Sequence, residues 1–258
     1  MNPLSLVVSS QQESVGIVEL NNPPHNYFSI DMLKQINSVL ESFADTPSVR
    51  VVVLRSNGRS FCAGTDLGSR ETKEKRRHKG EVNPLYQEAY KIGLFPKPIV
   101  AAIEGAAIGG GLGLALLADF RVSASEARFA ANFSRLGFHP GFGLSFTLPR
   151  LVGEQHASRL FYTGETIRGD EAKSIGLVDF IVSAEQVRGR AMQLAQEIAV
   201  SSPRAVRSIR ETMRRTYAEN LMLAVVRESS VQADQFKSED IAEGVKALSE
   251  RRPPAFKD

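Results

Sequence analysis

The 258-residue sequence contains one cysteine, Cys62, and a single thiol cannot close a disulfide within the chain. Four histidines and that cysteine show no zinc-type spacing, so no metal centre is expected. No apolar run reaches the length of a bilayer span without Gly, Pro or charge breaking it. The opening "MNPLSLVVSSQQES" lacks a positive leader region and an Arg-rich amphipathic pattern. The expectation is a cytoplasmic protein with no membrane partner. A formal charge of +3 gives little reason to expect a nucleic-acid partner. The one dense basic run, "RETKEKRRHK" (70–79), is interrupted by two glutamates and reads as a solvated helix or loop. If it binds anything, a small polyanion such as a nucleotide phosphate suits it better than nucleic acid. Phosphate-loop patterns are missing too. No G-x-x-x-x-G-K-[ST] occurs, and in "GAAIGGGLG" the interval from Gly105 to Gly109 is wrong for a dinucleotide-binding G-x-G-x-x-G.

What is present is an ordinary globular composition, 42% hydrophobic and 24% charged, with material for a large core. "LSLVV" (4–8) and "VGIVEL" (15–20) read as strands, and 21–29 as an Asn/Pro loop. Ser29 is placed to cap a helix whose apolar residues Ile30, Leu33, Ile36, Val39, Leu40 and Phe43 follow a 3.6-residue period. "VRVVVLR" (49–55) and "PIVAAIEG" (98–105) read as strands buried on both faces, as parallel sheets require. A loop of small residues covers 56–68, and a helix 83–95. A glycine turn leads into a helix over 110–117. Short strands follow within 119–131, then a short helix and a Pro/Gly turn within 133–143. Beyond 143 the chain reads as mainly helical apart from 176–182, with helices at 184–200, 203–217, 219–235 and 238–250. These recurring strand–turn–helix units predict an α/β core over 1–200 and a helical region over 201–258, divided at Ser201-Ser202-Pro203.

Three glycines at 109–111 make a poor strand and a poor helix interior, so a requirement must lie behind them. A strand that feeds a bare turn and then a helix exposes backbone N–H groups with no intrahelical partners. That suits an anion, or an oxygen that becomes anionic in a reaction; tight helix–helix packing is the alternative use. "RSFCAGTDL" (59–67) is a second bare loop leaving a strand end. If the two converge, paired donors arise near Thr65 and Gly110.

With these residues in view, five segments resemble the crotonase, or enoyl-CoA hydratase/isomerase, superfamily. They are "SFCAGTDL", "KPIVAAIEGAAIGGGLGLALLADFRV", "LPRLVG", "EAKSIGLVDFIV" and "EGVKALSERRPPAFKD", in the expected order from about residue 5 to 257. The resemblance implies a spiral of ββα units with a helical C-terminal trimerisation region, in a homotrimer or a dimer of trimers. It implies an acyl-CoA thioester as substrate, with no separate cofactor, because coenzyme A arrives as part of that substrate. It further implies that the N–H groups of Thr65 and Gly110 form an oxyanion hole. Ala63, Asp66 and Leu67 would then hold the adenine end of CoA, and Lys257 its phosphates.

The same resemblance exposes what is missing. Enoyl-CoA hydratases carry one glutamate two residues past the glycine triplet and another four residues before the glycine found here at 137. This chain has Gly113 and Phe133. Other members carry an aspartate in the following turn, where Gly141 and Phe142 stand here. A positioned acid or base is worth about 10²–10⁴ in rate, and an oxyanion donor about 10²–10³. The balance favours enolate stabilisation over efficient hydration, in a lyase or isomerase type of enzyme. A catalytically inactive CoA-thioester-binding subunit is the alternative. His139, Tyr86 and Glu88 are the replacement acid/base candidates; solvent-facing or surface roles compete for each. Phe133, Phe138 and Phe142 suggest an apolar acyl pocket or plain core. Cys62 has no His/Asp partner in view, Asp119 reads as structural, and Glu104 is open.

Overall fold

The computed structural model describes residues 5–66 and 82–257. The basic run at 70–79 and Leu67 lie outside them. Four units of two strands and a helix build the core. The first is β1 (Val7–Gln12), β2 (Val15–Leu20) and α1 (Ile30–Asp45); the second is β3 (Val51–Ser56), β4 (Ser60–Cys62) and α2 (Pro84–Gly93). The third is β5 (Ile99–Ile103), β6 (Ala106–Ile108) and α3 (Gly110–Leu116); the fourth is β7 (Phe120–Ala124), β8 (Arg128–Ala130) and α4 (Leu144–Thr163). Then come β9 (Thr166–Arg168), α5 (Gly169–Ser174), β10 (Phe180–Val182), α6 (Val187–Ala199), α7 (Pro203–Met213), α8 (Tyr217–Gln235) and α9 (Asp240–Glu250).

The strands sort into two sheets, ordered β1-β2-β3-β5-β7-β10 and β4-β6-β8-β9. Among the described residues, antiparallel pairing is confined to β1 with β2 and β9 with β8. Alternation along the large sheet explains why β3 and β5 carry apolar residues without a break. Val51, Val53, Val100 and Ala102 pack with Val187, Ala191 and Ala195 of α6. Val52, Leu54, Ile99 and Ala101 turn the other way, into a core shared with α1, α2 and α3. Ser29 caps α1 as expected, its hydroxyl accepting from Met32 N at 3.2 Å.

Four strands depart from the sequence reading by more than a shift at their ends. The first strand runs Val7–Gln12 rather than 4–8, β4 lies inside the expected loop, β6 leads into the glycine turn, and β9 interrupts the expected helical region. Each of β4, β6 and β9 has three residues, too few to display a period. Gly153, with φ +77°, kinks α4.

Asp119 ties the C-terminal helices to the sheet. Its Oδ2 accepts from Ile99 N at 2.9 Å, and it pairs with Arg210 and Arg214 at 3.0 and 2.9 Å. Arg210 also donates to the Phe95 carbonyl at 2.7 Å. The structural reading of Asp119 therefore holds. These contacts carry the chain from α7 into α8, which packs against α2 and α4 beside the site described next.

Candidate active site

Parallel pairing of β4 with β6 sets Cys62 beside Ala107, so both strands end at the same edge. The loops leaving that edge touch through their glycines. Gly64 has φ +81°, and a Cβ added there would lie 3.0 Å from the Ile108 carbonyl oxygen and 3.3 Å from Gly110 N. A Cβ on Gly111 would lie 2.0 Å from the Cys62 carbonyl oxygen, closer than any side chain permits. Gly111 is therefore required by the approach of the two loops, while a Cβ on Gly110 would lie 2.6 Å from the Phe28 ring and Gly109 has φ +55°. The Gly109 amide is used, donating to Ala130 O at 2.8 Å. Among the described residues the amides of Gly110 and Thr65 have no acceptor.

A cavity of about 820 Å³ opens over these two amides. Ala63, Thr65, Asp66 and Gly110 line it on one side, and Tyr86 of α2 on another. Its apolar wall is a chain of rings. Phe28 and Phe142 lie 5.0 Å apart, Phe133 and Phe138 5.5 Å, and Phe138 and Phe236 5.2 Å between centroids. All five line the cavity, as do Gln232 of α8 and Leu248 of α9.

The sequence pattern of the enoyl-CoA hydratase/isomerase family matches residues 10–258. The chain belongs to that family. Crotonyl-CoA hydratase of Syntrophomonas wolfei is 32% identical over 257 residues, covering 97% of each chain. 2,3-Dehydroadipyl-CoA hydratase of Escherichia coli K12 is 32% identical over 98% of this chain and 99% of its own. The crystal structure of an enoyl-CoA hydratase/isomerase from Pseudoalteromonas atlantica T6c superimposes with a TM-score of 0.87 at 27% identity, covering 98% of this chain and all of that one. The fold is crotonase-like, and the protein is an acyl-CoA enzyme of this family.

Within this enoyl-CoA hydratase/isomerase site, position 113 is filled by another residue. Phe142, with φ +66°, lays its ring over Gly113, where a Cβ would lie 2.9 Å from Phe142 Cβ and Cδ1. Left-handed backbone at an aromatic residue costs on the order of 1 kcal/mol or more, so the surroundings must hold it. The Phe28 ring and the edge of Tyr86, 6.4 Å away, supply part of that support. Gly141 is likewise overlaid: a Cβ there would lie 2.0 Å from the Tyr86 hydroxyl oxygen.

The three acid/base candidates part company here. Tyr86 lines the cavity; Glu88 and His139 do not. Glu88 turns toward α1, accepting from Asn37 Nδ2 at 2.7 Å and from Lys91 at 2.8 Å. His139 bonds α8 and its own turn: its N donates to Gln235 Oε1 at 2.6 Å, and its Nδ1 lies 2.7 Å from the Pro140 carbonyl. Lys257 is exposed and outside the cavity lining. Burial pushes the Cys62 thiol up to about 12, which leaves no thiolate for nucleophilic attack. Glu104 pairs with Arg188 at 2.9 Å.

Sequence reasoning missed Glu228, a fully buried carboxylate on α8. It accepts from Gly143 N at 2.7 Å, Ser145 N at 2.8 Å and Ser145 Oγ at 2.7 Å, so it holds the turn that carries Phe142. The signal was available: Glu228 follows Leu221 and Val225 at helical spacing, a charge where the period calls for an apolar residue. Burial outweighs the three donors and pushes its carboxyl up from 4.5 to about 7. A raised folded-state value means that the native protein holds this proton more tightly than the unfolded chain. The contribution is complete below about pH 4.5 and is lost as pH rises through about 7. Denaturant unfolding across pH 4.5–8 should show Glu228 removing about 3 kcal/mol of stability over that window. In Glu228→Gln that part of the slope should vanish; a slope unchanged by the substitution contradicts the assignment.

Proposed function

We propose that the Thr65 and Gly110 amides bind the carbonyl oxygen of an acyl-CoA thioester and stabilise the enolate formed from it. The observation that carries this reading is the close approach of the two glycine loops, with both amides lacking an acceptor among the described residues. The reaction is of lyase or isomerase type, and efficient water addition is not expected. Asp66 is the single carboxylate among the described lining residues, and it stands on the loop assigned to CoA. Position 113 has no acid and no room for one, and Phe133 contributes an aromatic ring. Of the three, Tyr86 alone lines the cavity, and its hydroxyl proton is committed to Gln232, so no acid/base group is assigned to it. In this reading Ala63, Asp66 and Leu67 contact the adenine end of CoA, Lys257 its phosphates, and the enzyme works in the cytoplasm without a separate cofactor.

The lack of a His or Glu in the described lining favours one second reading, a subunit that binds CoA thioesters without turning them over. A panel of saturated, unsaturated and β-carboxylated acyl-CoAs in D₂O separates the two. α-Deuteration or mass change of at least one thioester is the expected result. Hydration of crotonyl-CoA at ordinary enzyme rates contradicts the account of the missing acids, and binding without any turnover favours the second reading.

Assembly into a trimer, or two trimers, belongs to the same reading. Ile209 and Met213 on α7 and Leu223 and Val226 on α8 expose apolar side chains. We assign them to subunit contact. Sedimentation should give a trimeric or hexameric mass, reduced by Leu223→Asp; a monomer in the unsubstituted protein contradicts this.

A further inference from the structure

The aromatic wall of the cavity carries a polar pair, Tyr86 and Gln232, and a third group fixes the direction of the hydrogen bond between them. Gln232 bonds the His139 carbonyl at 2.6 Å, and a carbonyl only accepts. That places the amide nitrogen, Nε2, toward His139. It leaves Oε1, an acceptor, 2.6 Å from the Tyr86 hydroxyl. The phenol is therefore the donor, and a hydroxyl that has given its one proton offers a further neighbour only lone pairs. Burial, reinforced by the charge of Glu228, holds the phenol above its ordinary value, so it remains protonated.

The amide is itself held from several sides. Glu228, Gln232 and Gln235 recur at spacings of four and three, one face of α8, and all three bond the 139–145 turn. Gly141 provides the room: a Cβ there would lie 2.0 Å from the Tyr86 oxygen and 2.8 Å from Gln232 Nε2. Tyr86 and Gln232 both line the cavity, beside Phe133, Phe138, Phe236 and Leu248, whose side chains neither donate nor accept.

We propose that Tyr86, held by Gln232, is a specificity element that accepts a hydrogen bond from a hydroxyl group on the acyl chain of the bound thioester. The ligand class is then a hydroxyacyl-CoA in preference to a plain hydrocarbon acyl-CoA. This deepens the acyl-CoA reading above and rests on it.

Dissociation constants for butyryl-CoA, 3-hydroxybutyryl-CoA and 4-hydroxybutyryl-CoA, measured by calorimetry on the full chain, test it. One hydroxylated thioester should bind about five- to tenfold more tightly than butyryl-CoA, the worth of one neutral hydrogen bond. That ratio should fall to about one in Tyr86→Phe. In Gln232→Met the phenol proton is free to turn toward the ligand, so an acceptor-only chain, as in 3-oxobutyryl-CoA, should gain affinity relative to butyryl-CoA. Equal affinities in the unsubstituted protein, or a preference that survives Tyr86→Phe, overturn the proposal and leave the acyl-CoA reading standing. Failure of all three thioesters to bind overturns both.

Discussion

The approach of the Gly111 backbone to the Cys62 carbonyl is the contact on which the site depends. No side chain fits between them, so the ends of β4 and β6 meet backbone to backbone. Their loops then carry two amides, at Thr65 and Gly110, into one cavity without intervening side chains. In the proposed role, such donors are aimed before any ligand arrives and need no reorganisation when charge develops. The large sheet and its two cores serve this arrangement by fixing where β3 and β5 deliver the chain.

The opposite wall is built on a different principle. Aromatic rings fill the volumes where side chains at 113 and 141 would stand: Phe142 comes from the turn that one polar face of α8 holds, and Tyr86 from α2. Phe142 keeps a left-handed backbone because its ring packs on Phe28 while the next residue, Gly143, is bonded by Glu228. The buried carboxylate is thus part of the scaffold of the cavity's aromatic wall. Its cost is desolvation at neutral pH; its return is a fixed ring over Gly113.

Much of this was legible in the residues, and the unread parts have physical causes. Buried β-branched runs announced β3 and β5, and Ser29 with its apolar period announced α1. The glycine triplet and "SFCAGTDL" announced two bare loops, and ordered motifs announced the family. Three-residue strands leave no periodic trace, so β4, β6 and β9 became visible only through pairing with distant residues. Glu88 and Tyr86 stand two residues apart on one helix, a spacing that sends their side chains to different faces, and the sequence does not say which face meets a ligand. Gly113 announced a missing acid but not the ring that replaces it. Phe142 comes from 29 positions along the chain, and nothing local to either residue records the contact.

The central claim is that two backbone amides polarise a thioester carbonyl. Difference infrared spectroscopy of butyryl-CoA carrying ¹³C at the carbonyl, bound to the protein, reads that bond directly. The account predicts a carbonyl stretch moved to lower frequency than in water, because two fixed donors weaken the C=O bond more than mobile solvent does. A bound thioester whose carbonyl stretch stays at its aqueous position, or moves higher, would contradict it.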